Sequence, residues 1–585
     1  MRKWSHLKQL CRSAAIAALA FSVCTFAKDK DKENNSEVKF TSRTELVLVP
    51  TLVSDKSGAH IGGLKKEDFT VLENGSERTI ATFEEVKSDT TRLSRASKGN
   101  EFSNSLSGRG ATRRITLIVL DFINTPFSDQ AYGRHELLKY LTQSVDRREP
   151  TGLFTLTRTG IHVVHDFTTD PRILIAALHK VKGDASQMVD TPEDMEAMTG
   201  NASPEGSAGD QIGTSSGTPG SVTNAVQQEA SQLQNMLEDA ELNFQSFQQR
   251  LAITYTLEGM QQVAQALAGF PGRKSLIWAG GGFPFSVSDN TMQLAPAGRD
   301  TLADVLPLYE RTWRLLNDAQ IALYPVDVKG LQTNQPTASI RMPQASSRRP
   351  GGYQRMASWR QMDTQATLQA FAGATGGRAY FNSNDLVKGF RDAVSDSSEY
   401  YILGYYLDHS NTKPGWRKLA VKVKRDHVEV RTRSGFFVTR TTIDPAYSRD
   451  SDIASALQSP MDYTALQFVA RWDGIEASKE AGKKRVLYLV TLAPDPSLID
   501  AGDSNHMELE FVAEAQTPDG RQVGQPVGQK VDLHPTAEHL AVFREKGVGY
   551  RGSLDLAPGE YTVRIVVRDD LSGRVGSVAA PLKVE

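Results

Sequence analysis

Cysteine is almost missing from this chain of 585 residues: it has two, Cys11 and Cys24, both within the first 27 residues. Beyond them there is no thiol for a disulfide, a zinc–thiolate site or a nucleophile, so packed cores alone hold the rest together. An excess of one charge is also missing, with a formal net charge of −2. That balance leaves no electrostatic footprint for nucleic acid and no strong pull toward an anionic membrane. After the first 27 residues no run approaches the roughly 18 consecutive apolar residues of a membrane-crossing helix. His-Glu-x-x-His does not occur either, which removes the commonest helical zinc-protease pattern.

What is present is enough apolar material for several cores, at 39% hydrophobic and 23% charged residues. The length suits about three to four domains. Residues 1–27 read as a signal peptide. A basic stretch, MRKWSHLKQLCR, precedes the short apolar AAIAALAFSVCTFA, and Thr25 and Ala27 form a small-residue cleavage pattern. An uncleaved anchor is the alternative, and Phe21-Ser22-Val23 before Cys24 is a poor lipidation context. The sequence therefore predicts an exported protein, periplasmic, on the outer surface or extracellular, with no transmembrane segment after cleavage.

Along the chain, period-2 alternation and the Asn74-Gly75 turn predict an N-terminal β module over 38–85. Residues 86–113, rich in Ser, Arg, Asn and Gly, read as a linker. From 114 to 397 strands and helices alternate. RRITLIVLDF is a buried strand, DPRILIAALHKV a helix capped by Asp170 with Pro171 at its first position, and IALYPVDVKGL a later strand. Low-complexity insertions lie near 184–223 and 332–360. Repeated strand–helix units predict an α/β fold, a doubly wound, mostly parallel sheet of Rossmann-like type flanked by β-sandwich modules. A β extension over 398–440 and a C-terminal β-sandwich over 462–585 complete the expected order.

In an open α/β sheet, ligands bind beyond the carboxyl ends of the strands. Asp121 ends the first such strand, Ala279–Gly282 follow a later one and Asp327 ends the last. A buried strand running into a carboxylate, then Asn124, Thr125 and Pro126, raises the question of a cation.

The run 115–331 resembles a von Willebrand factor type A domain. With GLKKEDFTVLENG, GRKSLIWAGGGF, FAGATGGRAYF, YYILGYY and VRTRSGFF around it, the chain resembles the VWFA-related acidobacterial domain proteins over about residues 40–440. That resemblance implies Mg²⁺ or Mn²⁺ at an adhesion site built from Asp-x-Ser-x-Ser, a Thr of a second loop and an Asp of a third. Carried over, it assigns Asp121 and Thr125, with Thr256, or less favourably Thr254, as the second-loop ligand. Ile123 replaces the middle serine, Asn124 stands as a substitute oxygen, and no third-loop Asp is found, so the ligand set is incomplete. An Asp that caps its own loop through backbone N–H groups is the competing reading.

Other motifs carry less. GFPGRKS at 269–275 lacks the Gly directly before Lys that a P-loop needs and reads as a helix-to-strand turn. His162 and His165, three apart on a strand, are expected on opposite faces. Gly280–Gly282 could cradle an anion through backbone N–H groups or form a flexible loop. The sequence thus points to a non-enzymatic binding protein that engages a protein or envelope partner through the rim near Asp121, with no nucleic acid. A structural scaffold with a vestigial metal site, whose β-sandwiches make the contacts, is the alternative.

Overall fold

The computed structural model describes residues 44–87, 99–105, 115–143, 149–183, 222–287, 292, 304–330, 352–396, 399–408, 413–438, 445–495, 498–499 and 505–585. Residues 1–27, read as a signal peptide, 88–98 and 106–114 of the stretch read as a linker, 184–221 of the first insertion and 331–351 of the second lie outside the described residues.

The first strands are β1 (Thr44–Ser54), β2 (Phe69–Glu73), β3 (Ser76–Arg78), β4 (Thr82–Lys87) and β5 (Glu101–Ser103). Next come β6 (Ile115–Asp121), α1 (Phe127–Gln143), β7 (Thr151–Thr157), β8 (Gly160–Thr168), α2 (Pro171–Leu178), α3 (Val222–Leu267) and β9 (Lys274–Gly280). They are followed by α4 (Leu306–Asp318), β10 (Ile321–Asp327), α5 (Gly352–Thr375) and α6 (Leu386–Ser395). After these run β11 (Glu399–Asp408), β12 (Gly415–Val423), β13 (Glu429–Thr432), β14 (Gly435–Val438) and α7 (Pro445–Gln458). The last segment holds β15 (Phe468–Ala477), β16 (Lys484–Leu492), β17 (Met507–Gln516), β18 (Gln522–Leu533), α8 (Ala537–Lys546), β19 (Val548–Leu556), β20 (Gly559–Asp569) and β21 (Val575–Val584).

The expected doubly wound, mostly parallel α/β fold is not what forms. Strand predominates among the described residues, and four of the five sheets are wholly antiparallel. The fifth, in the order β10-β9-β6-β7-β8, is mixed, because β8 pairs antiparallel with β7. The reason is local. Gly160, with φ of +98°, lets the chain reverse directly after β7, so the two strands read around Thr159-Gly160 form a hairpin, and β8 enters the sheet antiparallel. Every residue of β6, β9 and β10 is buried, as suits parallel strands covered on both faces. One face packs against α3, α4 and α5, the other against α1, α2 and α6.

Strand pairing joins the segments on either side of that sheet. β1 and β4 pair with β11, while β2 pairs with β12, so 44–87 and 399–438 build one two-sheet sandwich. Its core holds Tyr401, Leu403 and Tyr405, alternate residues on one face of β11. Asn74 and Gly75 both take positive φ, 47° and 84°, as a two-residue hairpin of the I′ kind requires. The C-terminal sandwich stacks β19-β16-β15-β5 on β18-β17-β20-β21. Its edge strand β5 comes from the stretch read as linker, anchored by Asn104, whose amide donates to the carbonyls of Tyr463 (2.6 Å) and Leu466 (2.7 Å). Among the described residues no helix is long and apolar enough to cross a membrane.

Candidate functional site

β6 carries its last side chain, Asp121, into a fully buried position at the carboxyl edge of the mixed sheet. The loop that follows folds back onto that carboxylate. Oδ1 accepts the backbone N–H of Asn124 at 3.0 Å, and Oδ2 accepts the Asn124 side-chain amide at 2.7 Å and the indole N–H of Trp278 at 2.8 Å. The same Asn124 amide nitrogen donates to Thr256 Oγ1 at 2.9 Å, and that hydroxyl donates to the carbonyl of Ala252 at 2.7 Å. Asn124 Oδ1, also buried, has no partner among the described residues. Burial raises the Asp121 carboxyl to about 6, against the pull of the Asn124 and Trp278 donors.

Three of the four residues assigned to a cation thus come together, and Thr125 does not join them. Its hydroxyl donates to the Asp121 carbonyl and accepts the Gly281 N–H at 2.9 Å. Thr254 is elsewhere engaged, donating to the carbonyl of Arg250 at 2.9 Å. Ile123 is buried in the apolar core beneath. These residues do not fit a hard cation. Mg²⁺ or Mn²⁺ requires oxygen ligands turned inward, whereas N–H groups crowd Oδ2 and Asn124 offers the carboxylate its nitrogen. What the sequence reading lacked is Trp278. Val119 pairs with Trp278 in the parallel register, so Val119, Asp121 and the indole share one face. The signal was a Trp two residues before the end of the strand beside Asp121, visible only once the two strands are aligned.

The glycines after β9 serve close approach. A Cβ on Gly280 would lie 2.9 Å from Asp121 Cβ, and one on Gly281 would lie 2.6 Å from the Asn124 carbonyl oxygen. The Gly281 N–H is spent on Thr125. Asp327, at the end of β10, accepts the Lys329 N–H at 3.0 Å, and burial raises its carboxyl. The loops after β6, β9 and β10 therefore do meet on one rim, with Val328 N–H bonded to the Gly280 carbonyl at 3.1 Å.

Beside that rim, between β8 and α2, opens a cleft of about 980 Å³ that runs from Phe122 to Gly183. Arg158, Lys180, Lys182, His162 and His165 line it, with the hydroxyls of Thr155, Thr157 and Thr159 between them. The two histidines reach one cleft although sequence alternation sets them on opposite faces. Leu153 pairs with His165 and Phe154 with Val163, which leaves Val164 as an extra residue, and this bulge turns His165 to the side of His162. His162 Nε2 is hydrogen-bonded with Thr159 Oγ1 at 2.7 Å.

The GFPGRKS segment forms a helix-to-strand turn whose two cations are buried. Arg273 Nη2 donates to the Gly376 carbonyl at 2.5 Å, and Lys274 Nζ to the Phe270 carbonyl at 2.7 Å. Burial lowers the Lys274 ammonium to about 7. Both cations point into protein, so neither is offered to a phosphate.

No family model matches the chain, and no curated protein matches it.

Proposed function

We propose that this chain is an exported, non-enzymatic binding protein that engages a protein or envelope partner at the rim formed by the loops after β6 and β9 and the cleft beside them. The observation that carries this reading is the cleft itself. It is open and basic, it is walled by Thr hydroxyls, and it stands on a buried sheet whose loops are locked by Asp121, Asn124, Trp278 and Gly280–Gly281. A rigid platform that displays polar and cationic groups at strand ends suits recognition of an acidic surface, since pre-ordered groups lose little entropy on binding. The motif series that resembles the VWFA-related acidobacterial domain proteins supports a partner-binding role. The sealed Asp121 argues for contacts made without a metal.

One observation favours a second reading, a structural scaffold whose β-sandwiches make the contacts. The carboxylate that the resemblance gives to a partner-bridging cation is satisfied inside the protein. Pull-down from envelope extracts with the full chain separates the two. Under the first reading, a partner retained by the wild type is lost on Arg158→Glu with Lys180→Glu and kept when the exposed β18 surface is altered, as in Gln529→Glu. The reverse pattern defeats the rim reading and supports the scaffold.

A further inference from the structure

Far from the rim, at one corner of the C-terminal sandwich, three side chains converge that the sequence reading did not connect. His506 immediately precedes β17, Asp532 is the penultimate residue of β18, and His534 follows it. The antiparallel register pairs Glu508 with Asp532 and Met507 with Leu533. One step further sets His506 opposite His534, while alternation puts Asp532 and His534 on the same face. Asp532 Oδ1 lies 2.9 Å from His506 Nε2 and 3.7 Å from His534 Nδ1. The two imidazoles stack with centroids 4.7 Å apart and planes 12° from parallel. The three ligating atoms all lie within 4.8 Å of one another.

The geometry points to a binding site for a transition-metal dication of the Zn²⁺ class on His506, Asp532 and His534. Two imidazole nitrogens and a carboxylate oxygen are a donor set that suits Zn²⁺ and disfavours Mg²⁺ and Ca²⁺, which seek oxygen alone. A tetrahedral Zn²⁺ holds its ligands about 2.0–2.2 Å away, so modest side-chain rotation draws these atoms around it. Three protein ligands leave one position for water or for a donor from a partner. Lys530, two residues before Asp532 on β18, does not compete for the ligands, because it is taken up by Glu508 at 2.6 Å and Asp570 at 3.0 Å. The His506, Asp532 and His534 side chains are 29%, 59% and 55% exposed, so an ion reaches them from solvent. Their backbone is also prepared. β18 is the edge strand of its sheet, and its pairing with β17 sets the ligands in place before any ion arrives. This site is independent of the rim and of the function proposed there.

Isothermal titration of the full chain with ZnCl₂, and with MgCl₂ as comparison, tests the site. One Zn²⁺ is expected to bind, Mg²⁺ not, and His534→Ala and Asp532→Asn should each weaken Zn²⁺ at least tenfold with unchanged circular dichroism. Both substitutions fall on exposed side chains, and His539→Ala, on exposed α8 nearby, serves as the control that leaves affinity intact. Zn²⁺ binding by the His506→Ala/His534→Ala chain as tight as that of the wild type, or no Zn²⁺ binding by the wild type, overturns the proposal.

Discussion

Trp278 donates its indole N–H to Asp121 Oδ2 at 2.8 Å across the parallel pair of β6 and β9. This bond and those of Asn124 partly offset a buried charge, and burial still prevails, with the carboxyl raised to about 6 from its ordinary 3.8. Between those two values the folded chain keeps a proton that the unfolded chain releases. The group's contribution to stability therefore falls as pH rises from about 4 to 6 and stays at its lowest above that, a change of about 3 kcal/mol. Asp121→Asn removes the titration. Urea midpoints of the two chains should diverge in favour of the variant as pH rises to 6 and run parallel above it. A constant difference across the range would show that Asp121 does not titrate in this window.

Because N–H donors occupy the places a cation would take, Mg²⁺ should not stabilise this chain. Thermal unfolding in millimolar MgCl₂ and in EDTA is expected to give the same midpoint. A ligand present at 100 times its Kd would add about 2.7 kcal/mol. A rise of that order, lost on Asp121→Ala, would reinstate the metal rim.

The local pieces of this fold were legible, and their pairing was not. Asp170-Pro171 announces α2 and Asn74-Gly75 announces the β2–β3 turn, because capping and positive φ are set by the residues themselves. Strand–helix alternation near β6 suggested a parallel sheet for the middle of the chain. Two strands around Thr159-Gly160 were legible as well, but not that their pairing makes the sheet mixed, or that β1 seeks β11 on the far side of it, since register depends on partners distant in sequence. At the site, Asp121 and Asn124 were legible from residue type, and Thr256 was assigned only through the resemblance. Trp278, the Val164 bulge and the facing of His506 on His534 needed the strand registers first.

Gly280→Ala should cost about 1–3 kcal/mol, the usual penalty for forcing volume into a packed core. Its Cβ would stand 2.9 Å from Asp121 Cβ and 3.3 Å from Thr125 Oγ1, and neither neighbour is the free end of a long side chain. Gly549→Ala is the matched control, because nothing lies within 4 Å of its added Cβ. Equal urea midpoints for the two variants would mean the loop yields.

Lys274 makes a second pH signature, opposite in sense to that of Asp121. Its ammonium is buried against the Phe270 carbonyl and lowered to about 7 from 10.5. Between those values the unfolded chain holds a proton that the folded chain has given up, so stability rises with pH from about 7 to 10. Below 7 the buried charge costs about 5 kcal/mol. Lys274→Met should stabilise the chain at pH 7, and its advantage should shrink toward pH 10. An advantage independent of pH would assign the gain to packing alone.

Asp452 ties the mixed-sheet region to the C-terminal sandwich. Its carboxylate pairs with Arg311 of α4 and, at 3.0 Å, with Arg568 Nε of β20, while its own side chain is only 2% exposed. Deleting one member of a buried ion pair typically costs about 3–5 kcal/mol, and Arg568 keeps Asp570 as a second partner, which sets the cost here toward the lower end. Here the two guanidiniums belong to different regions, so Asp452→Ala should do more than lower the midpoint. Scanning calorimetry of the full chain should show the transition broaden or divide as the two regions lose their shared anion. Asp519→Ala, which removes an exposed pair with Arg521, should leave the profile in place. A single sharp transition in Asp452→Ala, lowered no more than in Asp519→Ala, would mean that the apolar contacts alone couple the two regions.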